Sequence, residues 1–485
     1  MSTSLSPPLL ERLRRIVGPP GCIEDAEGLA PYLTDYRKLF HGATPLVLQP
    51  ASTQEVSQIL QLCHDERIGV VPVGGNTGYC GGATPSADGS QLVVSLARLR
   101  RVRGVDAANY TLTAEAGCTL AEVHAAAAAA DRLFPLSLGS EGTCQLGGNL
   151  STNAGGTAVL RYGMARDLVL GLEVVLPSGG VLNELSGLRK NNTGYDLRDL
   201  FIGAEGTLGI ITAATCKLFP RAVTTVTALI AVRDPEAAVA VLGQLRQASG
   251  DCLTTFELLP RIALELVLQH VTGVRDPLEA PYPWYVLAEV TTSRADPALL
   301  DDVQGALAVA QEQGSVLDAA LAQNEAQRAM FWRIRESVPE GERRTGASIK
   351  HDVSVSISAI PALIREGSAL LLQIEPRGRV VVFGHLGDGS LHFNLAEPAD
   401  ANGAATARAA FLSLAPRINR AMHDLVTRHG GSISAEHGIG QLKRAELEHY
   451  KSPVAMEVMR AIKRALDPEG IMNPGKVLPP LKRPG

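Results

Sequence analysis

The sequence has few cysteines, and none of them lie close together along the chain. Seven cysteines are scattered over 485 residues without a CxxC pair or a close cluster. This pattern argues against a disulfide framework, and it excludes a cysteine-ligated iron–sulfur cluster of the usual spacing. The N-terminal segment also lacks the hydrophobic region and cleavage site of a signal peptide. We therefore expect reduced thiols and a cytoplasmic location.

Long apolar runs and basic clusters are missing as well. No apolar run approaches the ~20 residues that a membrane span requires. The net charge is −5, and no run of Lys and Arg follows the pattern that binds a phosphate backbone. A membrane span and a nucleic-acid partner are therefore not expected.

The chain changes character along its length. Residues 32–220 are rich in glycine and short β-branched runs, with a helix at Thr53–Arg67 between strands at 47–48 and 69–73. Thr119 and Glu122 form a capping-box pattern before an alanine-rich helix. After Phe219-Pro220, strands alternate with helices, including long ones at 323–344 and 404–429. The pattern predicts an α+β fold with segments 1–220, 221–430 and 431–485.

The segment VVVFGHLGDGSLHFNL, residues 380–395, predicts a β-hairpin. Asp388-Gly389 suits a two-residue turn, which places His385 opposite His392 on one face. Asn394 shares that face because side chains alternate along a strand. Two imidazoles so placed can hold a divalent metal, with a third ligand and a base available from Glu436-His437. A histidine in a strand is, however, often only a hydrogen-bonded structural residue.

Three glycine-rich segments occupy the first half of the chain: 73–78, 142–156 and 204–212. Glycine lets backbone N–H groups converge on phosphate oxygens. No Walker A loop and no GxGxxG following a strand is present, which argues against P-loop and Rossmann folds. Each loop alone could be a tight turn, but three in one region predict a nucleotide cofactor.

These motifs resemble the D-2-hydroxy-acid dehydrogenases of the vanillyl-alcohol oxidase type flavoprotein family, most of all the members that oxidise 2-hydroxyglutarate. The resemblance runs from about residue 40 to residue 477. It rests on PVGGNTG (72–78), GGNLSTNAGG (147–156), RYG (161–163), GAEGTLGIIT (203–212), KHDVSVS (350–356), GHLGDGSLHFN (384–394), AEHGIG (435–440) and NPGK (473–476).

The resemblance implies a two-part FAD-binding domain, formed by residues 1–220 and 431–485, with an inserted α+β cap domain built on an antiparallel sheet. Some relatives bind flavin covalently through His or Cys. The first glycine loop holds no histidine, so we expect non-covalent FAD. Cys80 and Cys144 are the remaining candidates for a covalent bond to flavin. The residues that the resemblance assigns to FAD are Gly74, Gly75, Asn76, Thr77, Gly78, Gly142, Thr143, Gly147, Gly148, Asn149, Ser151, Asn153, Gly206, Ile210 and Asn473.

The resemblance also implies a divalent metal, with zinc as the expected ion, held by His385, His392 and Glu436. His437 would bind substrate and take its hydroxyl proton while a hydride passes to flavin N5. The alternative role for His437 is to orient a neighbouring group. Asn394 would bind the C1 carboxylate of the substrate.

Substrate size rests on Arg335 and Lys350, which match positions that bind the distal carboxylate in 2-hydroxyglutarate-oxidising relatives. Those relatives carry Thr four residues after the arginine, whereas this chain has Pro339. We expect oxidation of D-2-hydroxyglutarate to 2-oxoglutarate, with D-malate as a second substrate.

Other interpretations stay open at this point. If Arg335 and Lys350 face solvent, a D-lactate or glycolate dehydrogenase is favoured. A flavin subunit of a larger glycolate-oxidase-like complex is another alternative, and a metal-stabilised flavin scaffold without activity is a weak one. A dehydrogenase without an iron–sulfur cluster needs an external electron acceptor, such as an electron-transfer flavoprotein or a quinone-linked carrier. A homodimer is a further expectation.

Overall fold

The computed structural model describes residues 5–399 and 405–479, and the chain divides into two units. The first unit comprises 1–156, 163–220 and 436–485, and the second comprises 157–162 and 221–435. The sequence placed the last boundary after residue 430. In the structure, residues 431–435 belong to the second unit, in which Ser432 pairs its backbone with that of Ser354.

The first unit contains a four-stranded sheet, a five-stranded sheet and a short two-stranded pair. The strands of the four-stranded sheet, in spatial order, are Cys22–Ile23, Val47–Leu48, Gln91–Ser95 and Gly69–Val73. Those of the five-stranded antiparallel sheet are Val102–Asp106, Thr111–Glu115, Ile210–Lys217, Val169–Val175 and Val181–Glu184. The pair is Arg132–Leu133 with Phe219–Pro220.

Two helices of the first unit, Pro7–Val17 and Thr53–Asp65, pack their apolar side chains against the four-stranded sheet. The α-helices are Pro7–Val17, Ala26–Leu33, Thr53–Asp65, Leu120–Ala129, Leu146–Ser151, Arg198–Phe201, Arg444–Tyr450 and Pro453–Leu466. The helix expected at Thr53–Arg67 is confirmed, ends two residues earlier, and is capped by Ser52 Oγ, which accepts the Glu55 N–H at 3.2 Å. It connects two strands that run parallel to Gln91–Ser95, as a crossover helix must. The predicted capping box of Thr119 and Glu122 is also present.

The second unit contains a four-stranded and a three-stranded antiparallel sheet. The first, in spatial order, comprises Leu253–Pro260, Trp284–Thr292, Thr224–Val232 and Val316–Leu321. The second comprises Ser348–Ser354, Ser390–Ala396 and Arg379–Phe383. The α-helices are Val159–Tyr162, Pro235–Ala248, Arg261–His270, Ala298–Glu312, Glu325–Glu336, Val338–Arg344, Ile360–Ile374, Ala405–Leu412 and Ala415–Arg428.

Two helices expected to be long are each interrupted. The expected helix 323–344 is divided at Ser337, and Pro339 occupies the first turn of the second part. The expected helix 404–429 is divided at Ser413 and Leu414 before Pro416, and residue 404 lies outside the described residues. Both divisions have the same cause, since proline lacks an N–H and favours the first turn of a new helix.

The three-stranded sheet has one apolar face and one face, called here the polar face, on which His392 and Asn394 lie beside the buried Val381 and Phe383. Phe393, Leu395 and Val382 point into a core that also contains Leu363 and Met422 from the helices behind the sheet. His351 lies on this apolar side, where its ring nitrogens contact Phe393 O and Asn419 Oδ1. The alternate residues of each strand therefore share the opposite face.

The predicted two-residue turn at Asp388-Gly389 is wrong. The ladder ends at the pair Phe383–His392, so the connection is longer, and Gly389 (φ 90°) has a positive φ whereas Asp388 does not. The reason is a tertiary pairing: Gly384 exchanges two backbone hydrogen bonds with Leu258 of the other sheet, at 2.8 and 3.0 Å. Gly384 adopts φ 138° to leave the hairpin, a conformation that favours glycine.

One helical stretch among the described residues, Ile357–Ile374, is long and apolar enough to cross a membrane by length and composition alone. Its Ile360, Leu363, Ile364 and Leu371 are buried in the core of the second unit. Helices of protein cores pass the same test, so this stretch gives only weak support for a span.

A buried ion pair fixes the C-terminal part of the first unit. Lys463 Nζ donates to Asp467 Oδ2 at 2.6 Å and to the carbonyls of Thr207 and Met472 at 2.7 and 2.9 Å. Asp467 is fully buried and also accepts the N–H groups of Ile471 and Met472. Burial lowers the pKa of Lys463, and Asp467 opposes that shift.

We expect Asp467→Ala to lower the free energy of unfolding by about 3–5 kcal/mol, because it leaves the Lys463 ammonium buried without its counter-ion. The measurement is urea unfolding followed by circular dichroism. Arg460→Ala on the same helix is the control, since its pair with Glu448 is exposed (42% and 41%) and should change stability by at most about 1 kcal/mol. Equal losses of unfolding free energy in the two variants would show that the Lys463–Asp467 pair does not stabilise the C-terminal part of the first unit.

Candidate active site

The first unit contains a pocket formed by all three glycine-rich segments. Its empty space is about 1000 Å³, part of which is open to solvent. The predicted FAD residues that line it are Gly74, Gly75, Asn76, Thr77, Gly78, Gly147, Gly148, Asn149, Ser151, Gly206 and Ile210. Sequence reasoning thus identified residues that the fold does bring together.

The lining fits a flat, phosphate-bearing cofactor. A Cβ on Gly78 or Gly148 would meet nothing within 4 Å, so backbone there is open to the pocket. A Cβ on Gly75 would instead meet Thr143 O at 2.1 Å, so this glycine allows two loops to pack closely. Gln145 Oε1, which lines the pocket, is buried without a hydrogen-bond partner among the described residues. Buried polar atoms normally have a partner, and FAD offers one.

Four of the predicted FAD residues do not line this pocket: Gly142, Thr143, Asn153 and Asn473. Thr143 bonds within its own turn, to Ser140 O at 3.2 Å. Asn153 accepts the N–H of Arg166. Asn473 Nδ2 donates to Gly82 O at 2.9 Å and to Glu205 O at 2.8 Å, so it connects two segments that do line the pocket.

Glu205 is a pocket residue that sequence reasoning missed. Its carboxylate accepts the N–H groups of Ile439 and Gly440 at 2.7 and 2.8 Å. Burial raises its pKa, and the two backbone donors oppose the shift. The signal was available, because Glu205 is the charged residue of the GAEGTLGIIT motif. It fixes the segment that carries His437.

His437 lines the same pocket and contacts Tyr79 edge-on, with ring centroids 4.7 Å apart. Tyr79, another lining residue that was missed, also contacts Tyr36 and the guanidinium of Arg37. Glu436 Oε1 accepts the Gly156 N–H at 2.8 Å. The predicted base is thus placed at the flavin pocket by an aromatic contact and by the glycine segments around it.

The second unit brings His385 and His392 together. Their ring centroids are 5.9 Å apart, although His385 follows the end of its strand and is not directly opposite His392. Asp352, which was not predicted, pairs with His392 from the neighbouring strand and is buried. It stands two residues after Lys350 in KHDVSVS, a spacing that could have identified it.

Both predicted cations of the substrate site are paired with buried glutamates. Arg335 Nε donates to Glu257 Oε2 at 2.6 Å, and Lys350 Nζ donates to Glu342 Oε2 at 2.7 Å. Arg335 is buried, whereas Lys350 is an exposed residue whose side chain is 32% exposed. Asn394 Nδ2 also donates to Glu342 Oε2, at 3.0 Å.

The polar face has unused hydrogen-bonding capacity. Glu342 Oε1 and Asn394 Oδ1 are buried without a partner among the described residues. Arg335 uses only Nε for Glu257, and its guanidinium carbon lies 5.1 Å from the Phe383 ring centroid. Its Nη groups have no hydrogen-bond partner in the described part of the chain, so they are available to a ligand.

Comparisons with known proteins identify the family of the chain. The model of the FAD binding domain matches residues 44–184, and that of the C-terminal domain of FAD linked oxidases matches residues 221–477, more than half of the chain. The D-2-hydroxyglutarate dehydrogenase of Stutzerimonas stutzeri is 36% identical, with 97% of this chain and 99% of that protein covered. The mitochondrial enzymes of that name from Arabidopsis thaliana and Bos taurus are each 38% identical, covering 96% and 97% of this chain and 80% and 83% of theirs.

Solved structures confirm the predicted fold. A p-cresol methylhydroxylase aligns with a TM-score of 0.75 at 15% identity, covering 97% of this chain and 96% of its own. The 4-ethylphenol oxidase from Gulosibacter chungangensis aligns at 0.73 and 17% identity, with 97% of each chain covered. The α+β fold of vanillyl-alcohol oxidase type is therefore correct.

One expectation is corrected by these relatives. The Arabidopsis and Bos taurus proteins are named as mitochondrial, which contradicts the expected cytoplasmic location. The inference failed because cysteines without disulfides, which the structure shows at all seven positions, do not distinguish one reducing compartment from another.

The relatives cover nearly all of the sequence, and the C-terminal domain model alone covers more than half of it. The chain belongs to the FAD-linked oxidase family, as an FAD-dependent hydroxy-acid dehydrogenase.

Proposed function

We propose that this enzyme oxidises D-2-hydroxyglutarate to 2-oxoglutarate, with D-malate as a second substrate. The observation that carries the proposal is the polar face of the three-stranded sheet. It carries His392 and Lys350. His385 lies beside His392 for the hydroxy-acid end, and Arg335, from the helix Glu325–Glu336, lies beside Phe383 for a distal carboxylate. The names of the 36–38% identical relatives support the same substrate.

The His385–His392 pair fits a divalent cation. Two imidazoles are common zinc ligands, and a carboxylate completes a frequent catalytic set. When bound, such an ion supplies a Lewis acid that lowers the pKa of a coordinated hydroxyl. We propose that Glu436 is the third ligand and that the ion is zinc, as the resemblance implies.

His437 is the proposed general base. It lines the flavin pocket, where its Nδ1 or Nε2 can accept the proton of the C2 hydroxyl as the C2–H bond breaks. FAD, when bound non-covalently, supplies the acceptor for the hydride.

Asn394 and the two cations orient the substrate. Asn394 keeps its second Nδ2–H for the C1 carboxylate, and Arg335 keeps its Nη groups for the distal carboxylate. A guanidinium fork suits that recognition because it can donate two parallel hydrogen bonds. An external electron acceptor, such as an electron-transfer flavoprotein or a quinone-linked carrier, reoxidises the enzyme in this proposal.

A second candidate is oxidation of a smaller 2-hydroxy acid such as D-lactate or glycolate. It is favoured by the glutamates, since Glu257 and Glu342 offset the charges of Arg335 and Lys350. Pro339 at the start of a helix also removes the hydroxyl that the resemblance predicts there. We rank it second because the buried Arg335 retains free donors.

Anaerobic flavin reduction by a panel of 2-hydroxy acids tests the proposed function. We expect D-2-hydroxyglutarate to give the highest kcat/KM among its L enantiomer, D-malate, D-lactate and glycolate. Arg335→Lys keeps the charge beside Glu257 but removes the fork, so kcat/KM for D-2-hydroxyglutarate should fall roughly 10- to 100-fold, the loss of a charged hydrogen bond.

The same variant should leave glycolate oxidation nearly unchanged. Arg328→Lys is the matched control, because Arg328 pairs with the buried Glu289 elsewhere in the second unit. Best activity with a substrate that has no distal carboxylate would refute the assignment of Arg335 and Lys350.

His437→Ala should slow flavin reduction by about 10²- to 10⁴-fold, the usual contribution of a general base. Stopped-flow absorbance measures the rate, and flavin and metal contents should stay at wild-type levels. His449→Ala, an exposed histidine of the same segment, is the control. Reduction at the wild-type rate would show that His437 is not the base.

Acid precipitation should release the flavin into the supernatant. Cys80 is the better candidate for a covalent bond to flavin because it lines the pocket. Its Sγ, however, already donates a hydrogen bond to Gly438 O at 3.5 Å. Yellow colour that stays with the pellet would instead indicate a covalent bond, and Cys80→Ser and Cys144→Ser would then locate it.

A further inference from the structure

Glu257 is a buried carboxylate between two residues of the proposed site. Oε2 lies 2.6 Å from Arg335 Nε, and Oε1 lies 2.5 Å from His385 Nδ1. The side chain of Glu257 is 1% exposed, and those of its partners are each 9% exposed. The carboxylate therefore contacts a guanidinium and an imidazole in a buried position.

The backbone fixes this arrangement. Leu258 and Gly384 exchange backbone hydrogen bonds as an antiparallel bridge, which places Glu257 directly opposite His385. Glu257 also lies within a ladder in which it pairs with Leu287. The backbone bridge between Leu258 and Gly384 therefore holds the contact between Glu257 and His385 in place.

The charges within this group are balanced. Arg335 compensates the charge of the Glu257 carboxylate. The approach of His385 Nδ1 to Glu257 Oε1 is short but is not aligned as a hydrogen bond in this structure. If a small turn of the imidazole lets Nδ1–H donate to Glu257, the lone pair of Nε2 is left for another partner. Carboxylates that accept from the second nitrogen of a metal-binding histidine fix both its tautomer and its ring orientation.

We propose that Glu257 is a positioning residue that holds His385 as the Nδ1–H tautomer and aims Nε2 at a divalent cation. The inference rests on the proposed function, in that it takes His385 to be a ligand. It also gives Arg335 a second task. Besides binding substrate, Arg335 pairs with the Glu257 carboxylate in a buried position, which couples the distal-carboxylate site to the histidine pair.

Zinc titration of the chelator-treated, flavin-loaded enzyme tests this role. Glu257→Gln preserves shape but accepts more weakly, and we expect its zinc affinity to fall 10- to 100-fold with flavin content unchanged. A chromophoric chelator in competition measures the affinity. Glu289→Gln is the matched control, since Glu289 is buried beside Arg328 in the same sheet, and it should bind zinc as the wild type does.

A double variant, Glu257→Gln with Arg335→Met, removes both charges and avoids an uncompensated guanidinium if the single variant fails to fold. It should show the same loss of zinc affinity. Wild-type affinity in either folded variant would overturn the role of Glu257 while leaving the proposed function standing. Absence of zinc binding by the wild type would overturn the proposed metal and this inference together, and the substrate panel would still test the oxidation itself.

Discussion

The register of the three-stranded sheet is the constraint on which the second unit depends. Phe393 and Leu395 must be buried against the helices behind the sheet, so His392 and Asn394 must occupy the other face. A slip by one residue would exchange these two sets and move the Phe393 ring from the core to the face that carries the polar side chains. Lys350 and Asp352 join that polar face because their strand pairs in the same register. Apolar burial thus determines where the polar chemistry lies.

Charges on the polar face are placed in compensated groups. Glu257 balances Arg335 and contacts His385, while Glu342 balances Lys350 and holds Asn394. Such buried groups are stable only when they are paired, and removal of one partner is costly. They also position their neighbours, because each carboxylate has oxygens that face two different side chains. The enzyme would therefore recognise an anion with cations that are already oriented by fixed carboxylates.

Local sequence patterns predicted much of the fold and part of the site. Helix 53–65, the capping box at Thr119 and the gathering of glycine loops follow from local rules and a resemblance. The approach of His385 to His392 was anticipated, but for the wrong reason, since Gly384 leaves the hairpin to pair with Leu258. Glu257 and Glu342 were missed because distant strands and helices bring them to the site. No local spacing records such contacts.

The proposed mechanism depends most directly on a divalent ion that His385 and His392 hold in the flavin-containing enzyme. Elemental analysis of freshly purified, fully active enzyme, normalised to flavin, measures this. The account predicts about one divalent ion per flavin, as expected of a single catalytic site. Full activity in enzyme with no divalent ion above background would contradict it.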